Sequence, residues 1–278
     1  MQYTINVRGR LLDLSRPIVM GILNATPDSF YSGSRKQTEA DIADRANQIV
    51  SEGGAVIDVG AFSTRPGADE VSAEEETARL QRALAIVRRE QPDAIVSVDT
   101  YRPLVARRCI EDFGADIVND VSEGGITGIV GVPINEPGDM FSTVAELQVP
   151  YILMSVQPTI DTMVLNFSHE VQRLCDLGAK DIILDPGFGF GKTLAQNYQV
   201  MNGLDRLQTL GLPVLAGLSR KSMIWKLLGG TPDTALNGTT ALHMVSLSKG
   251  ASILRAHDVR EAAECVAIYN MLESECLD

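Results

Sequence analysis

Polar residues stand at or just beyond the ends of short apolar runs throughout this 278-residue chain. A single Asp in such a place is usually a helix cap or a turn former. Here the pattern follows every apolar run except the fifth, where Met154 stands at the predicted strand end, so capping alone does not explain it. The residues concerned are Asn24, Asp58, Asp99, Asn119, Asp185, Lys221, Arg255 and His257, with Thr64 and Arg65 shortly after the second run.

These residues divide into two groups by chemistry. Asp99, Asn119 and Asp185 offer carboxylate and carboxamide oxygens. A carboxylate can accept parallel hydrogen bonds from an exocyclic amine and an adjacent ring N–H, which predicts a subsite for an amino-heterocycle. A group of cations predicts a second subsite, for a phosphate or pyrophosphate. The cations are Arg65, Lys221, Arg255 and His257.

The stretch "DPGFGFGKT" at 185–193 has the residue types of a phosphate-binding loop but not its spacing. The pattern G-x-x-x-x-G-K-[ST] requires a glycine where Pro186 stands. The dinucleotide pattern G-x-G-x-x-G fails at Lys192. We therefore interpret Asp185 as the functional residue of this stretch, and the glycines as residues that let the backbone turn sharply after it.

Eight apolar runs must position these polar ends. They are continuous rather than alternating, as expected of parallel strands buried on both faces, and amphipathic segments separate them. Eight such units predict a (β/α)₈ barrel, whose catalytic face lies at the carboxyl ends of the strands. A doubly wound sheet is the alternative. The runs lie at 17–24, 55–62, 94–100, 116–122, 151–156, 181–186, 213–219 and 252–258.

The length suits one domain over residues 1–278, because roughly 250 residues is typical of this barrel. Residues 1–16 predict a short hairpin that closes one end of the barrel. Residues 122–138, after the fourth run, are too rich in glycine and proline for a simple helix and predict an extended loop.

Composition and net charge disfavour some classes of function. Apolar residues make up 45% of the chain, yet no run approaches the roughly 18 apolar residues of a membrane span. The net charge of −12 disfavours a nucleic-acid partner. The four cysteines are scattered, with no CxxC pair, which favours a reducing compartment. We therefore expect a cytoplasmic protein that binds neither membranes nor nucleic acid.

Seven segments together resemble the dihydropteroate synthases, a family of pterin-binding enzymes, in order and spacing. Any one of them alone would be weak evidence. They are "MGILNATPDSF", "DVGAFSTRPGA", "SVDTYRPLVA", "IVNDV", "ILDPGFGFGKT", "LAGLSRKSMI" and "ILRAHDV".

The resemblance implies a transferase of folate biosynthesis with small-molecule substrates. Such an enzyme joins 6-hydroxymethyl-7,8-dihydropterin pyrophosphate to p-aminobenzoate, giving 7,8-dihydropteroate and pyrophosphate. In the family mechanism the C–O bond breaks before the amine attacks. The resemblance also implies Mg²⁺ as cofactor and a homodimer.

The resemblance also implies residue roles, with Asp99, Asp185 and Lys221 as the catalytic set. Asn24 would ligate Mg²⁺. The pterin site would comprise Asp99, Asn119, Met154, Asp185, Lys221 and Arg255. The pyrophosphate site would comprise Thr64, Arg65, Arg255 and His257. The p-aminobenzoate site would comprise Phe30, Pro66, Phe190, Lys221 and Ser222.

The chain departs from the family pattern at three places, one of which is the insertion at 122–138, longer than the pattern predicts. The fifth run continues as "MSVQP", where Ser155 and Pro158 replace the usual histidine and glycine. Phe62 stands where the family usually has glutamate, and it either narrows the pocket or packs against a loop. Two alternatives remain open: a diverged paralogue that binds pterin without turnover, and a methyltetrahydrofolate-type methyltransferase domain.

Overall fold

The computed structural model describes residues 3–25, 39–62, 71–125 and 139–274, and the strands and helices below are those of these ranges. The strands are β1 (Thr4–Val7), β2 (Arg10–Asp13), β3 (Ile18–Asn24), β4 (Val56–Gly60), β5 (Ile95–Asp99), β6 (Ile117–Asp120), β7 (Tyr151–Met154), β8 (Ile182–Asp185), β9 (Leu215–Ala216) and β10 (Ile253–Ala256). The helices are α1 (Glu39–Ser51), α2 (Ala73–Glu90), α3 (Pro103–Glu111), α4 (Met140–Leu147), α5 (Ile160–Asp176), α6 (Leu194–Asn202), α7 (Ser222–Leu228), α8 (Leu236–Ser248) and α9 (Val259–Glu273).

The strands β3 to β10 form one parallel sheet in the order β8-β7-β6-β5-β4-β3-β10-β9. A parallel bridge between Leu184 and Val214 joins β8 to the segment that leads into β9. This bridge closes the sheet into a ring, so the predicted (β/α)₈ barrel is confirmed and the doubly wound sheet is wrong.

The hairpin β1–β2 seals the amino-terminal end of the barrel. Ile5, Val7 and Leu14 pack in one buried cluster with side chains from the first residues of the barrel strands, among them Met20 and Ile183. The Asn6 N–H also donates to Asp181 Oδ1 at 2.9 Å. This end of the barrel is filled with apolar side chains, which leaves the carboxyl end for chemistry.

At the carboxyl end, the strand register aligns polar residues across the sheet. Asn24 pairs with Gly60, Gly60 with Asp99, and Asp99 with Asn119. Gly60 leaves room in this row, because a Cβ there would lie 3.4 Å from the Cβ of Asp99. Parallel pairing therefore places three of the predicted site residues at one level of the barrel mouth.

The predicted loop at 122–138 begins with a short 3₁₀ turn at Glu123–Gly125, and residues 126–138 lie outside the described residues. Glu123 has a φ of 52°, in the left-handed region that non-glycine residues rarely adopt. None of the described helices is long and apolar enough to cross a membrane.

Candidate active site

Arg255, on β10, lies at the centre of the polar barrel mouth. Its Nε donates to Asp58 Oδ2 at 2.7 Å, and one terminal nitrogen donates to Asp99 Oδ2 at 2.6 Å. Asn119 Nδ2 donates to the same oxygen of Asp58 at 3.1 Å. Asp58, whose role the sequence left open, thus orients both the guanidinium and the carboxamide from a fully buried position.

Three acceptor atoms in this cluster have no hydrogen-bond partner among the residues that the structure describes. They are buried oxygens of Asp58, Asp99 and Asn119, each of the type Oδ1. A buried acceptor without a donor costs free energy, so their arrangement at the mouth favours a ligand with several N–H groups. This is the donor pattern expected of an amino-heterocycle.

The carboxyl ends of β7 and β8 supply the next predicted residues. Met154 and Asp185 are direct register partners, and both are buried. Asp185 Oδ1 accepts from the Gly187 N–H at 2.8 Å, which anchors the carboxylate to the turn behind it. Gly187 has a φ of 64°, and a Cβ there would lie 2.2 Å from the Ser155 carbonyl oxygen. Only glycine fits this turn.

Lys221 connects the β8 turn to the start of α7. Its Nζ donates to the Phe188 carbonyl at 2.6 Å and lies 4.5 Å from the centre of the Phe190 ring. Ser222, also predicted in the arylamine site, is the first residue of α7. Arg220 turns away from the mouth, because its Nε and one terminal nitrogen each donate to Asp258 at 2.8 Å.

His257 follows β10 and is fixed from two sides. Its Nδ1 lies 3.1 Å from Ser219 Oγ, and its carbonyl accepts from Arg45 of α1 at 2.6 Å. Burial, together with the charge of Arg255, lowers the pKa of His257 to about 4. The sequence grouped His257 with the cations, but the ring is neutral at pH 7 before an anion binds.

Burial also shifts the carboxylates and Lys221. It raises the pKa of Asp99 to about 7, although the charge of Arg255 opposes the shift. It raises the pKa of Asp185 as well, against the charge of Lys221. Lys221 moves the other way, because burial lowers its pKa to about 8 despite the nearby charge of Asp185. Such shifts cluster at functional sites, where burial and charge are combined.

An apolar wall lines the mouth beside these polar groups. Tyr101, Val121 and Met154 form a cluster, against which Phe62 and Phe190 pack. Phe62 meets Tyr101 edge to face, with ring centres 5.1 Å apart. Phe62 therefore packs against the loop after β5, which is one of the two possibilities predicted for it.

The described residues include ten of the fourteen predicted site residues. The structure gathers Asp99, Asn119, Met154, Asp185, Phe190, Lys221 and Arg255 into one contiguous cluster, with Asn24, Ser222 and His257 at the adjoining strand and helix ends. The predicted Phe30, Thr64, Arg65 and Pro66 lie outside the described residues.

Several contributors were missed by the sequence. Ser219 holds the His257 ring, and Glu123 accepts from both Ser155 Oγ at 2.8 Å and the Val156 N–H at 2.9 Å. Arg45 lies on a helix with the pattern of any amphipathic surface helix. Only Ser219 had a recognisable cue, because it ends the seventh apolar run.

Comparison with known proteins matches residues 20–257 to a family model described as pterin binding enzyme. The match spans most of the chain and includes each of the strands that carry the site. The dihydropteroate synthase of Escherichia coli K12 is 38% identical over 94% of this chain and 93% of its own. The chain belongs to the dihydropteroate synthase family of pterin binding enzymes.

Other members of the family agree. The dihydropteroate synthase of Streptococcus pyogenes serotype M18 is 39% identical, covering 95% of this chain and 98% of its own. The Xanthomonas albilineans dihydropteroate synthase, solved with 4-aminobenzoic acid, superposes with a TM-score of 0.87 at 34% identity, covering 99% of both chains. A structure of that enzyme with 7,8-dihydropteroate gives a TM-score of 0.84 at 32% identity, covering 98% of this chain and 99% of that one. The resemblance read from the seven sequence segments is confirmed.

Proposed function

We propose that this chain condenses 6-hydroxymethyl-7,8-dihydropterin pyrophosphate with p-aminobenzoate, releasing pyrophosphate and forming 7,8-dihydropteroate for folate biosynthesis. The observation that carries the proposal is the placement of Arg255 between Asp58 and Asp99, beside the three buried acceptors without a partner. Membership of the family supplies the reaction class, and the site supplies groups suited to each part of both substrates.

The pterin would bind with its amino-pyrimidine edge against Asp99, Asn119 and Asp185. The Oδ1 atoms of Asp99 and Asn119, which have no hydrogen-bond partner among the described residues, would accept hydrogen bonds from the ring N–H and the exocyclic amine. Arg255 would stack on the ring, because the bonds from its Nε to Asp58 and from one terminal nitrogen to Asp99 hold the guanidinium from the side. Met154, which is fully buried, would support the opposite side.

The p-aminobenzoate side would be built from Lys221 and Phe190. The Lys221 ammonium, held by the Phe188 carbonyl, lies over the Phe190 ring and can donate to a bound substrate. Ser222 lies at the N-terminus of α7, at the same corner. The predicted roles of Phe30 and Pro66 complete this subsite in the proposal.

The pyrophosphate side would use Arg255, His257 and the predicted Thr64 and Arg65. Neutral His257 can donate one ring N–H, and a bound anion would raise its pKa toward protonation. Asn24 would hold Mg²⁺ there, since a carboxamide oxygen is the hard ligand this ion accepts alongside phosphate oxygens and water. The bound ion would neutralise charge on the leaving pyrophosphate.

Whether Mg²⁺ fits this site depends on the oxygen ligands that the protein offers there. Asn24 ends β3 in register with the row that contains Asp99. The described residues hold no group of three or more His, Cys, Asp or Glu side chains suited to a metal ion. One protein oxygen shared with substrate phosphates is the usual arrangement for Mg²⁺ rather than a cage built only of protein.

The chemistry would proceed by C–O cleavage before attack by the amine. Arg255 and His257 would stabilise the charge that develops on the departing pyrophosphate. The carboxylates of Asp99 and Asp185 would favour the cationic pterin, since Asp185 is buried and Asp99 is only 16% exposed, so that charge is weakly screened there. Lys221 and Phe190 would hold the arylamine beside the reacting carbon, which lowers the entropic cost of the second step.

The active form in this proposal is a cytoplasmic homodimer. Helices α7, α8 and α9 pack side by side, and α7 and α9 expose large apolar side chains. These are Leu227, Leu228, Ile268, Met271 and Leu272. Clustered exposed apolar groups favour association. Cys109 and Cys265 are free, as suits a reducing compartment. A monomeric mass by light scattering would contradict the dimer, and recovery in an exported fraction would contradict the location.

A pyrophosphate-release assay with both substrates tests the activity. Wild type should release one pyrophosphate per dihydropteroate formed, and Lys221→Ala or Asp99→Ala should lower the rate about 100-fold, because misplaced reactants lose that much. Lys180→Ala is the control, since Lys180 is exposed. Pterin binding without any turnover by wild type would favour the paralogue. Methyl transfer from methyltetrahydrofolate would favour the methyltransferase alternative.

A further inference from the structure

Lys192 lies in the turn after β8 and uses its ammonium group within the protein. Its Nζ donates to the carbonyl oxygens of Ser155 at 3.0 Å, Gly187 at 3.0 Å and Phe190 at 3.3 Å. An ammonium has three protons to donate, so the three bonds use its whole capacity. The side chain is partly buried, and burial lowers its pKa to about 8 while Asp185 and Glu123 oppose the shift.

The three carbonyls come from two neighbouring strand exits. Ser155 follows β7, whereas Gly187 and Phe190 belong to the turn after β8. Ser155 is also held by its N–H, which donates to the Asp185 carbonyl at 2.9 Å, and by its hydroxyl, which donates to Glu123. Lys192 is thus the cation of a bonded network that spans the exits of β6, β7 and β8.

The turn that Lys192 holds carries the groups facing the arylamine. The Phe190 N–H donates to the Gly187 carbonyl at 3.1 Å, and Phe188 offers its carbonyl to Lys221 at 2.6 Å. Without Lys192, the carbonyl oxygens of Ser155 and Phe190 would lose this donor, and that of Gly187 would keep only the Phe190 N–H. Leaving such acceptors unsatisfied is unfavourable, so the turn would rearrange.

We propose that Lys192 is a positioning residue for the arylamine subsite, which it builds by fixing the turn from Gly187 to Phe190 against Ser155. It touches no reacting atom. Its effect reaches the substrate through Phe190 and through the Phe188 carbonyl that holds Lys221. The inference rests on the proposed function for its kinetic consequence, but the ordering of the turn is independent of turnover.

Lys192→Met tests this role, because methionine keeps most of the apolar stem and removes every donor. The KM for p-aminobenzoate should rise about tenfold, and by clearly more than the KM for the pterin substrate, since Asp99, Asn119 and Arg255 of the pterin site lie on other strands. Lys192→Arg retains the charge and the donors, so its KM for p-aminobenzoate should stay close to that of wild type. Lys180→Met, at an exposed lysine, should behave as wild type.

Hydrogen exchange of the amides at 187–190 supplies a readout that needs no activity. Lys192→Met should speed their exchange at least about tenfold, as expected when a local turn opens more often. Lys180→Met should leave it unchanged. If Lys192→Met fails to fold, Lys192→Gln replaces it in the same measurements. Glutamine keeps two donors and removes the charge.

Two results would overturn the proposal. One is unchanged exchange at 187–190 in the folded variant. The other is an equal rise in both KM values, which would indicate a general loss of structure. If wild type shows no turnover, the proposed reaction fails, and the exchange experiment still decides whether Lys192 orders the turn.

Discussion

Replacing Arg255 with methionine should weaken the pterin and pyrophosphate subsites together, because one guanidinium serves both. In the structure this side chain makes two charge-assisted hydrogen bonds, to Asp58 at 2.7 Å and to Asp99 at 2.6 Å. Only 17% of it is exposed, so solvent screens these bonds little. The substitution should therefore affect stability and binding by separate routes.

For stability, removing one partner of a buried ion pair typically costs about 3–5 kcal/mol. The loss should shrink at low pH, because Asp99 would be left beside Asp58 without its cation and would take up a proton more readily. For binding, lost stacking contributes about 0.5–2 kcal/mol and a lost charge-assisted hydrogen bond about 1.5–3 kcal/mol. Together these predict affinity lower by about 30- to 4,000-fold.

Isothermal titration with the pterin pyrophosphate, and separately with inorganic pyrophosphate and Mg²⁺, measures the two effects on binding. Urea unfolding at pH 5 and pH 8 measures stability. Arg88→Met is the matched control, because Arg88 pairs with Asp116 at 2.6 Å and is 19% exposed. Asp116 immediately precedes β6, at the opposite end of the barrel, so this variant should lose stability without losing affinity.

The reasoning would be refuted if Arg255→Met bound the pterin substrate as tightly as wild type does. It would also be refuted if only one of the two ligands were affected, since the shared side chain would then serve a single subsite. Equal loss of affinity in Arg88→Met would show that destabilisation, rather than the missing guanidinium, weakens binding.

Two further predictions concern pH. The profile of kcat/KM against pH should be bell-shaped. It should fall below about pH 7 as Asp99 is protonated, and above about pH 8 as Lys221 loses its proton. A flat profile between pH 6 and 9 would contradict both assignments. Burial, aided by the charge of Glu123, raises the pKa of Glu170 to about 8. The folded state therefore binds the extra proton, and stability falls as pH rises from about 4.5 to about 8, by up to about 4 kcal/mol. In urea unfolding, Glu170→Gln should make the free energy of unfolding nearly independent of pH over this range. Glu146→Gln, at an exposed site on α4, is the control. If the pH dependence in Glu170→Gln equals that of wild type, Glu170 does not cause it.

The barrel, and the convergence of polar strand ends at its mouth, could be predicted from the sequence. Continuous apolar runs at eight places require strands buried on both faces, and parallel strands that alternate with helices close into this fold. Asp99, Asn119 and Asp185 could be placed at one mouth because strand ends are local features, and their convergence follows once the barrel is recognised. The same reasoning separated Asp185 from the false phosphate-loop pattern around it.

The protonation states and hydrogen-bond partners of these residues follow only from the tertiary structure. The sequence left Asp58 open, and only the approach of β10 to β4 makes it the partner of Arg255. It grouped His257 with the cations, whereas burial beside Arg255 makes the ring neutral. Lys192 failed as part of a nucleotide motif and gave no other cue, because its partners are backbone carbonyls of residues up to 37 positions away. Side-chain identity and spacing encode strands and their ends, but desolvation and long-range pairing arise only when the barrel closes.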